Sequence, residues 1–248
     1  MSDPSPGVTA PAQSVIPLFP LGTVLFPGVV LPLHIFEPRY RLLVRELMHP
    51  RATPEFGVVA IRQGTEGGPP GTTVLYDIGC AAALRQVTPY DDGRFDIVTV
   101  GARRFRILEV DPHSQPYLRG RVEWLDESPV EPGETAVVSR SVAELFGRCQ
   151  ALLRAYATTG AGPSAEGSAA RTAIGSAALP TDPLLLSHLV AAAAPFTLDD
   201  RQNLLSACNT AERLRQELRL LKQEITMISR LRAVPVPLAE LRVPMGMN

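Results

Sequence analysis

Nucleophiles, bases and metal ligands make chemistry possible, and this sequence is thin in all three. Of its 24 basic residues only Lys222 is a lysine; the rest are arginines. Arginine stays protonated, so it cannot act as the base, Schiff-base amine or dyad partner that lysine supplies. Lys222 sits in Leu220-Leu221-Lys222-Gln223, without the glycines before it or the Ser or Thr after it that a phosphate-binding loop requires. The histidines, His34, His49, His113 and His188, share no helical turn, and no HExxH occurs. His188, on an apolar stretch, reads as a core-edge residue rather than a base. Cys80, Cys149 and Cys208 stand far apart without a CxxC pair and read as buried free thiols. Gly175-Ser176-Ala177 lies in an Ala-rich connector and is no nucleophile elbow. Asp91-Asp92 precede Gly93, and Asp199-Asp200 follow Thr197, so the pairs read as a turn and a helix start rather than as acid–base partners. The residues therefore name no catalytic group, no metal site and no cofactor.

Binding leaves more to work with. Arg103, Arg104 and Arg106, with Phe105 interleaved, form the best candidate polyanion site, supported by Arg119 and Arg121 on a later strand. Alternation puts Arg104 and Arg106 on one face and Phe105 on the other, the ordinary pattern of a half-exposed strand. Asp96, Glu109 and Asp111 are near enough in sequence to pair with these arginines. The formal net charge of -1 supplies no field to hold a polyanion, so nucleic acid is disfavoured as a partner.

The elements that must carry these residues fall into two kinds. Residues 1–13, rich in Pro, Ser and Gly, read as a tail. From Val15, short apolar runs alternate with Pro and Gly. Val15–Phe19 and Val29–Leu33 read as strands confined to edges or bulges by Pro17 and Pro32. Glu37-Pro38 opens a helix whose apolar face is Tyr40, Leu43, Val44 and Leu47, ending before Pro50. Phe56–Ile61, Val74–Val87, two runs joined at Gly101-Ala102, and Leu118–Leu125 read as further strands, with Asp91-Asp92-Gly93 as a hairpin turn. Residues 14–128 thus form a compact, mainly antiparallel barrel or folded sheet with one short helix.

Past the boundary at Pro129–Gly133 the period becomes helical. Val138, Val142, Leu145, Cys149, Leu152 and Tyr156 line one helix; Asp182-Pro183 starts another, and Thr197–Asp200 resembles a capping box. Leu214, Leu218, Leu221, Ile225, Ile228 and Leu231 mark a long last helix, with Arg213 and Glu217 among the charges on its remaining faces. Its place is within a bundle, with pairing between two copies of the chain as the alternative. Residues 129–235 form the α-helical part and 236–248 a tail. The fold class is α+β. No apolar run reaches the roughly 18–20 residues that span a bilayer, and Met1–Ala12 is no signal peptide, which points to a cytoplasmic protein without a membrane partner.

The motif order carries a resemblance. Ile16-Pro17-Leu18-Phe19-Pro20-Leu21-Gly22, Leu25-Phe26-Pro27-Gly28 and Leu31-Pro32-Leu33-His34-Ile35-Phe36-Glu37-Pro38-Arg39-Tyr40 resemble the opening of the Lon protease N-terminal domain family. The similarity continues through Val98–Ile107 and the helical stretch Asp182–Leu231, covering residues 14–235 as one domain. It implies a PUA-like β part followed by a helical part, and a role in holding polypeptide substrates. It implies no catalytic residues, and the chain ends before the family's ATPase and Ser–Lys protease modules would begin. The expectation is a stand-alone, non-catalytic polypeptide-binding module, an adaptor or holdase for unfolded clients beside a separate protease or chaperone. Phe26, Phe36, Glu37, Arg39 and Tyr40 are its candidate groove residues; the bland reading makes Glu37 and Pro38 a helix start and Tyr40 a packing residue. The alternative is RNA or small-ligand binding through the PUA-like part, and last comes a hydrolase with dispersed catalytic residues.

Overall fold

The computed structural model describes residues 12–49, 53–66, 73–130, 132–158 and 179–231. Its strands are β1 (Gln13–Leu21), β2 (Val30–Ile35), β3 (Glu55–Gln63), β4 (Val74–Leu75), β5 (Ile78–Pro89), β6 (Phe95–Asp111) and β7 (Arg119–Leu125). Helix α1 (Pro38–Leu47) lies between β2 and β3 in sequence, and α2 (Pro132–Thr158), α3 (Pro183–Ala193), α4 (Leu198–Ser206) and α5 (Thr210–Leu231) follow the strands. The fold is α+β, as the patterning predicts.

The sheet closes on itself. β1 pairs with β7, β7 with β6, β6 with β5 and β5 with β3, and β3 runs parallel to β1 to complete the ring. β1 is not the edge strand its prolines imply. Gln13–Pro17 pair with β7 and Leu18–Leu21 with β3, so each half has a ladder on one side and tolerates a missing donor on the other. β2 lies off the ring, paired with the first half of β6.

Two other strand expectations need correction. The runs expected to meet at Gly101-Ala102 are one strand of 17 residues. Gly101 is instead a close-approach point, where a Cβ would sit 2.1 Å from the Phe26 carbonyl oxygen. The stretch Val74–Val87 divides into short β4 and the longer β5. The expected turn does join β5 to β6, with Gly93 at φ 81°.

Three apolar clusters hold the layers. Leu18, Val59, Phe105 and Val122 draw together four strands of the ring. Tyr40, Leu43, Val44 and Leu47 of α1 pack on Phe19, Ile35, Phe56 and Ile97, the face that their spacing predicts. Phe26 and Ala60 join Phe146, Val190, Leu204, Leu214 and Leu221, so strands and helices share a core.

Pro38 takes the first position of α1, and the Asp182 carboxylate accepts the Leu184 N–H at 3.1 Å to cap α3. Thr197 Oγ1 accepts the Asp200 N–H at 3.2 Å, while its hydroxyl bonds the Asp200 carboxylate at 2.6 Å. Arg213 and Glu217 do not lie on a solvated face of α5: both are fully buried, because helices and a loop cover that side as well. Cys208, expected buried, is exposed in the turn before α5. Residues 1–11 of the expected N-terminal tail, the Ala-rich connector with Gly175-Ser176-Ala177, and the tail 236–248 lie outside the described residues.

Candidate functional site

The Phe36–Tyr40 corner is built by the end of β2 running into α1. Arg39 Nη2 pairs with Glu37 Oε2 at 2.7 Å and donates to the Glu66 carbonyl at 3.0 Å, while the guanidinium lies 4.8 Å from the Tyr40 ring centroid. Tyr40 is buried and stacked on Phe19 with centroids 4.0 Å apart. Burial, with Glu37 and Glu66 nearby, pushes its hydroxyl up to about 12 against the pull of Arg39. Phe26 is 0% exposed and sits in the shared core beside His188. Phe36, in contrast, is 60% exposed. The structure brings Glu37, Arg39 and Tyr40 into one contact set, buries Phe26 elsewhere, and leaves Phe36 as the free apolar side chain of the five.

Phe36 is one end of a longer feature. Along β2, Leu31, Leu33 and Ile35 turn inward toward α1, so Val30, Pro32 and His34 turn outward. Val30 is 57% exposed and lies opposite half-buried Val100, with Pro32 opposite Val98. At the other end Leu185, 49% exposed at the start of α3, has a methyl 3.8 Å from where a Cβ on Gly28 would sit. An exposed strip, apolar at Val30, Pro32 and Phe36, therefore follows the outer face of β2, with Leu185 near Gly28 just before its start.

Rings close one end of that strip. The His34 ring stacks on Phe36 at 6.2 Å and meets Tyr90 edge-on at 6.0 Å. His34 Nδ1 lies 2.6 Å from Asp96 Oδ1, and the Tyr90 hydroxyl also donates to Asp96. Hydrogen bonds from Tyr90 and then His34 hold the Asp96 carboxyl below its ordinary range. Arg94 lies over Tyr90 and pairs with Asp92 at 2.6 Å. The polar groups beside the strip thus bond one another. The period-two pattern Val30, Pro32, His34, Phe36 was its signal in the sequence; an unbroken apolar run hides which residues face inward.

The arginine cluster disperses. Arg103 lies 4.1 Å from the Trp124 ring centroid, and Arg106 pairs with Glu123 at 3.2 Å. Arg104, expected on a wet face with Arg106, is only 4% exposed. It donates to the Leu205 and Ala207 carbonyls at 2.8 and 2.6 Å and pairs with Glu127 at 2.8 Å. Glu109, one of the expected partners, does pair with Arg121 of the cluster at 3.1 Å, while Arg106 and Arg104 find Glu123, across the strand pairing, and Glu127, just beyond β7.

Glu127 is the residue that sequence reasoning missed. Besides Arg104 it accepts from Arg213 at 2.9 and 3.0 Å and from Thr210 at 3.0 Å. Arg213 also donates to the Leu204 carbonyl and to Ser187. One carboxylate thereby ties β6 to the helical layer. Nearby, burial and then the charges of Arg213 and Arg104 depress His188 to about 3, so its imidazole is neutral. Burial raises Glu217 well above the ordinary carboxyl range. Neither arrangement has a reacting partner, and both Glu217 oxygens lack a hydrogen bond. Among the described residues no His, Cys, Asp and Glu group is arranged to hold a metal ion. A polar groove of about 530 Å³ between α4 and α5, lined by Asp200, Asn203, Glu212, Gln216, Arg219 and Gln223, is separate from the strip.

The family model for the substrate-binding domain of the ATP-dependent protease La (LON) matches residues 15–223. This chain belongs to the LON substrate-binding domain family. The Lon protease of Anaeromyxobacter dehalogenans is 29% identical over 220 residues, covering 87% of this chain and 24% of that protein. Lon protease 2 of Thermus thermophilus is 27% identical over 224 residues, covering 88% and 25%. The chain spans about a quarter of the length of the curated relatives it matches. Among solved structures, a Lon N-terminal domain protein from Xanthomonas campestris superposes with a TM-score of 0.57 at 22% identity, covering 83% of this chain and 98% of that one. The N-terminal domain of Mycobacterium avium complex Lon protease gives 0.56 at 18%, covering 84% and 98%. The two structures share the LON N-terminal fold with this chain. Among the described residues no helix is long and apolar enough to cross a membrane.

Proposed function

We propose that this LON-family chain binds unfolded polypeptide segments on the outer face of β2 and catalyses no change in them. The observation that carries the reading is that, among the described residues, Val30, Pro32, Phe36 and Leu185 stay exposed while the polar groups beside them bond one another. Apolar residues left in water along a strand suit ligands that themselves expose apolar residues, and unfolded chains do so irrespective of sequence. A substrate-binding family supports the same direction. An adaptor or holdase role in the cytoplasm, handing clients to a separate protease or chaperone, follows from this reading. Arg39, Glu37 and Tyr40 then brace the corner that presents Phe36.

Immobilised protein incubated with a labelled client, native in one arm and reduced and unfolded in the other, tests this. Retention of the unfolded form alone is expected, with the client recovered intact. Equal retention of both forms, or cleavage of the client, overturns the proposal.

A further inference from the structure

We infer that the client binds as an added β-strand, pairing main chain to main chain with the free edge of β2; this rests on the reading of the chain as a polypeptide binder. Among the described residues β2 pairs with β6 alone. The phase of that ladder decides which groups remain. Gly101 N–H donates to the Val29 carbonyl at 2.9 Å, and Val30 lies opposite Val100. In an antiparallel ladder alternate residues bond the partner strand. Leu31, Leu33 and Ile35 therefore turn their N–H and C=O toward β6, and Val30, Pro32 and His34 turn theirs to the open side.

Pro32 agrees with this phase. The donor it lacks is one that would have pointed away from β6, where a proline is tolerated. It also weighs against a second copy as occupant: two β2 edges meeting about Pro32 would lose a donor from each strand. A client strand meets only one such gap, and Val30 and His34 still offer N–H and C=O, with Pro32 offering C=O. Main-chain bonds ask nothing of the client's sequence. The same three residues also carry exposed side chains, followed by Phe36, so alternate client side chains would lie along the strip. The side chains along the edge select among segments. Arg94 pairs with Asp92, and Asp96 is hydrogen-bonded by His34 and Tyr90, so the polar groups beside the edge engage one another and exposed Val30, Pro32 and Phe36 favour an apolar stretch.

Amide hydrogen exchange on the full chain, with and without a short peptide alternating leucine and serine, tests the inference. The Val30 and His34 amides are expected to slow at least tenfold on binding, while Leu31 and Leu33 stay as they were. N-methylating alternate peptide residues in one register is expected to weaken binding at least tenfold, as the loss of one or two net hydrogen bonds would. The other register leaves binding unchanged. Val30→Pro removes an edge donor without touching a bond to β6, and is expected to weaken binding similarly at an unchanged thermal midpoint. Binding with Val30 and His34 unprotected, or equal binding of both methylated registers, overturns strand addition while the polypeptide-binding reading stands. Absence of binding by the unmodified protein overturns both. Slow exchange at Val30 and His34 without peptide, together with a dimer in sedimentation, makes a second copy the occupant.

Discussion

Truncating Phe36 removes a ring that stacks on His34 and is mostly exposed, so the fold loses little by it. Phe36→Ala should leave the denaturation midpoint in place and weaken retention of an unfolded client. Phe26→Ala should do the reverse through stability, costing ~3–5 kcal/mol by opening a cavity in the shared core. Chemical denaturation of both variants separates a surface phenylalanine from a structural one. The buried titratable residues give a pH prediction. His188 is held neutral in the fold at about 3. Below about 6.5 the unfolded chain gains a proton that the folded chain refuses, so this residue costs up to ~1.4 kcal/mol of stability per pH unit as pH falls toward about 3. Glu217 acts oppositely. Burial raises its pKa, so above about 4.5 the unfolded chain releases a proton that the folded chain keeps, and stability falls as pH rises. Glu217→Gln should raise stability near pH 8 and leave only the acid-side decline. An unaltered alkaline slope would show that Glu217 ionises freely in the fold.

Between elements, Glu127 is the point on which the layers depend. It faces two guanidiniums at once, Arg104 from β6 and Arg213 from α5. Removing one partner of a buried ion pair leaves the other charges uncompensated, which costs ~3–5 kcal/mol. Glu127→Ala should lower stability by that amount, and adding Arg104→Met should cost less than it does alone, because both act on one network. Additive losses by denaturation would contradict the coupling. These elements also show how far the sequence could be read. α1 was legible because Pro38 and the spacing of Tyr40, Leu43, Val44 and Leu47 act locally. Arg104 was not, since alternation assigns a side chain to a face without saying what covers that face. Glu127 stands in a Pro-bounded segment between strand and helix, where a linker and the centre of an ion network look alike. β1 misled for a similar reason: its prolines report missing donors, but the change of partner at Leu18 arises only when distant strands close the ring.

Over the whole molecule, the LON-family resemblance was carried by ordered motifs, and the residues in those motifs are mostly scaffold. Phe26 and Tyr40 lie in cores, and Glu37 and Arg39 pair with each other. The strip depends on distances that no local pattern encodes, since Leu185 comes near Gly28 from the helical layer and Tyr90 meets His34 from the turn between β5 and β6. Under the proposed function, that assembly of separate elements is the surface that binds polypeptide. The direct test is the fluorescence anisotropy of a labelled unfolded client, titrated with the wild-type chain and with Val30→Ser, Phe36→Ser and Leu185→Ser combined. Saturable binding by the wild type and at least tenfold weaker binding by a still-folded triple variant is the expected result. A triple variant that binds as tightly as the wild type would contradict the assignment of the strip.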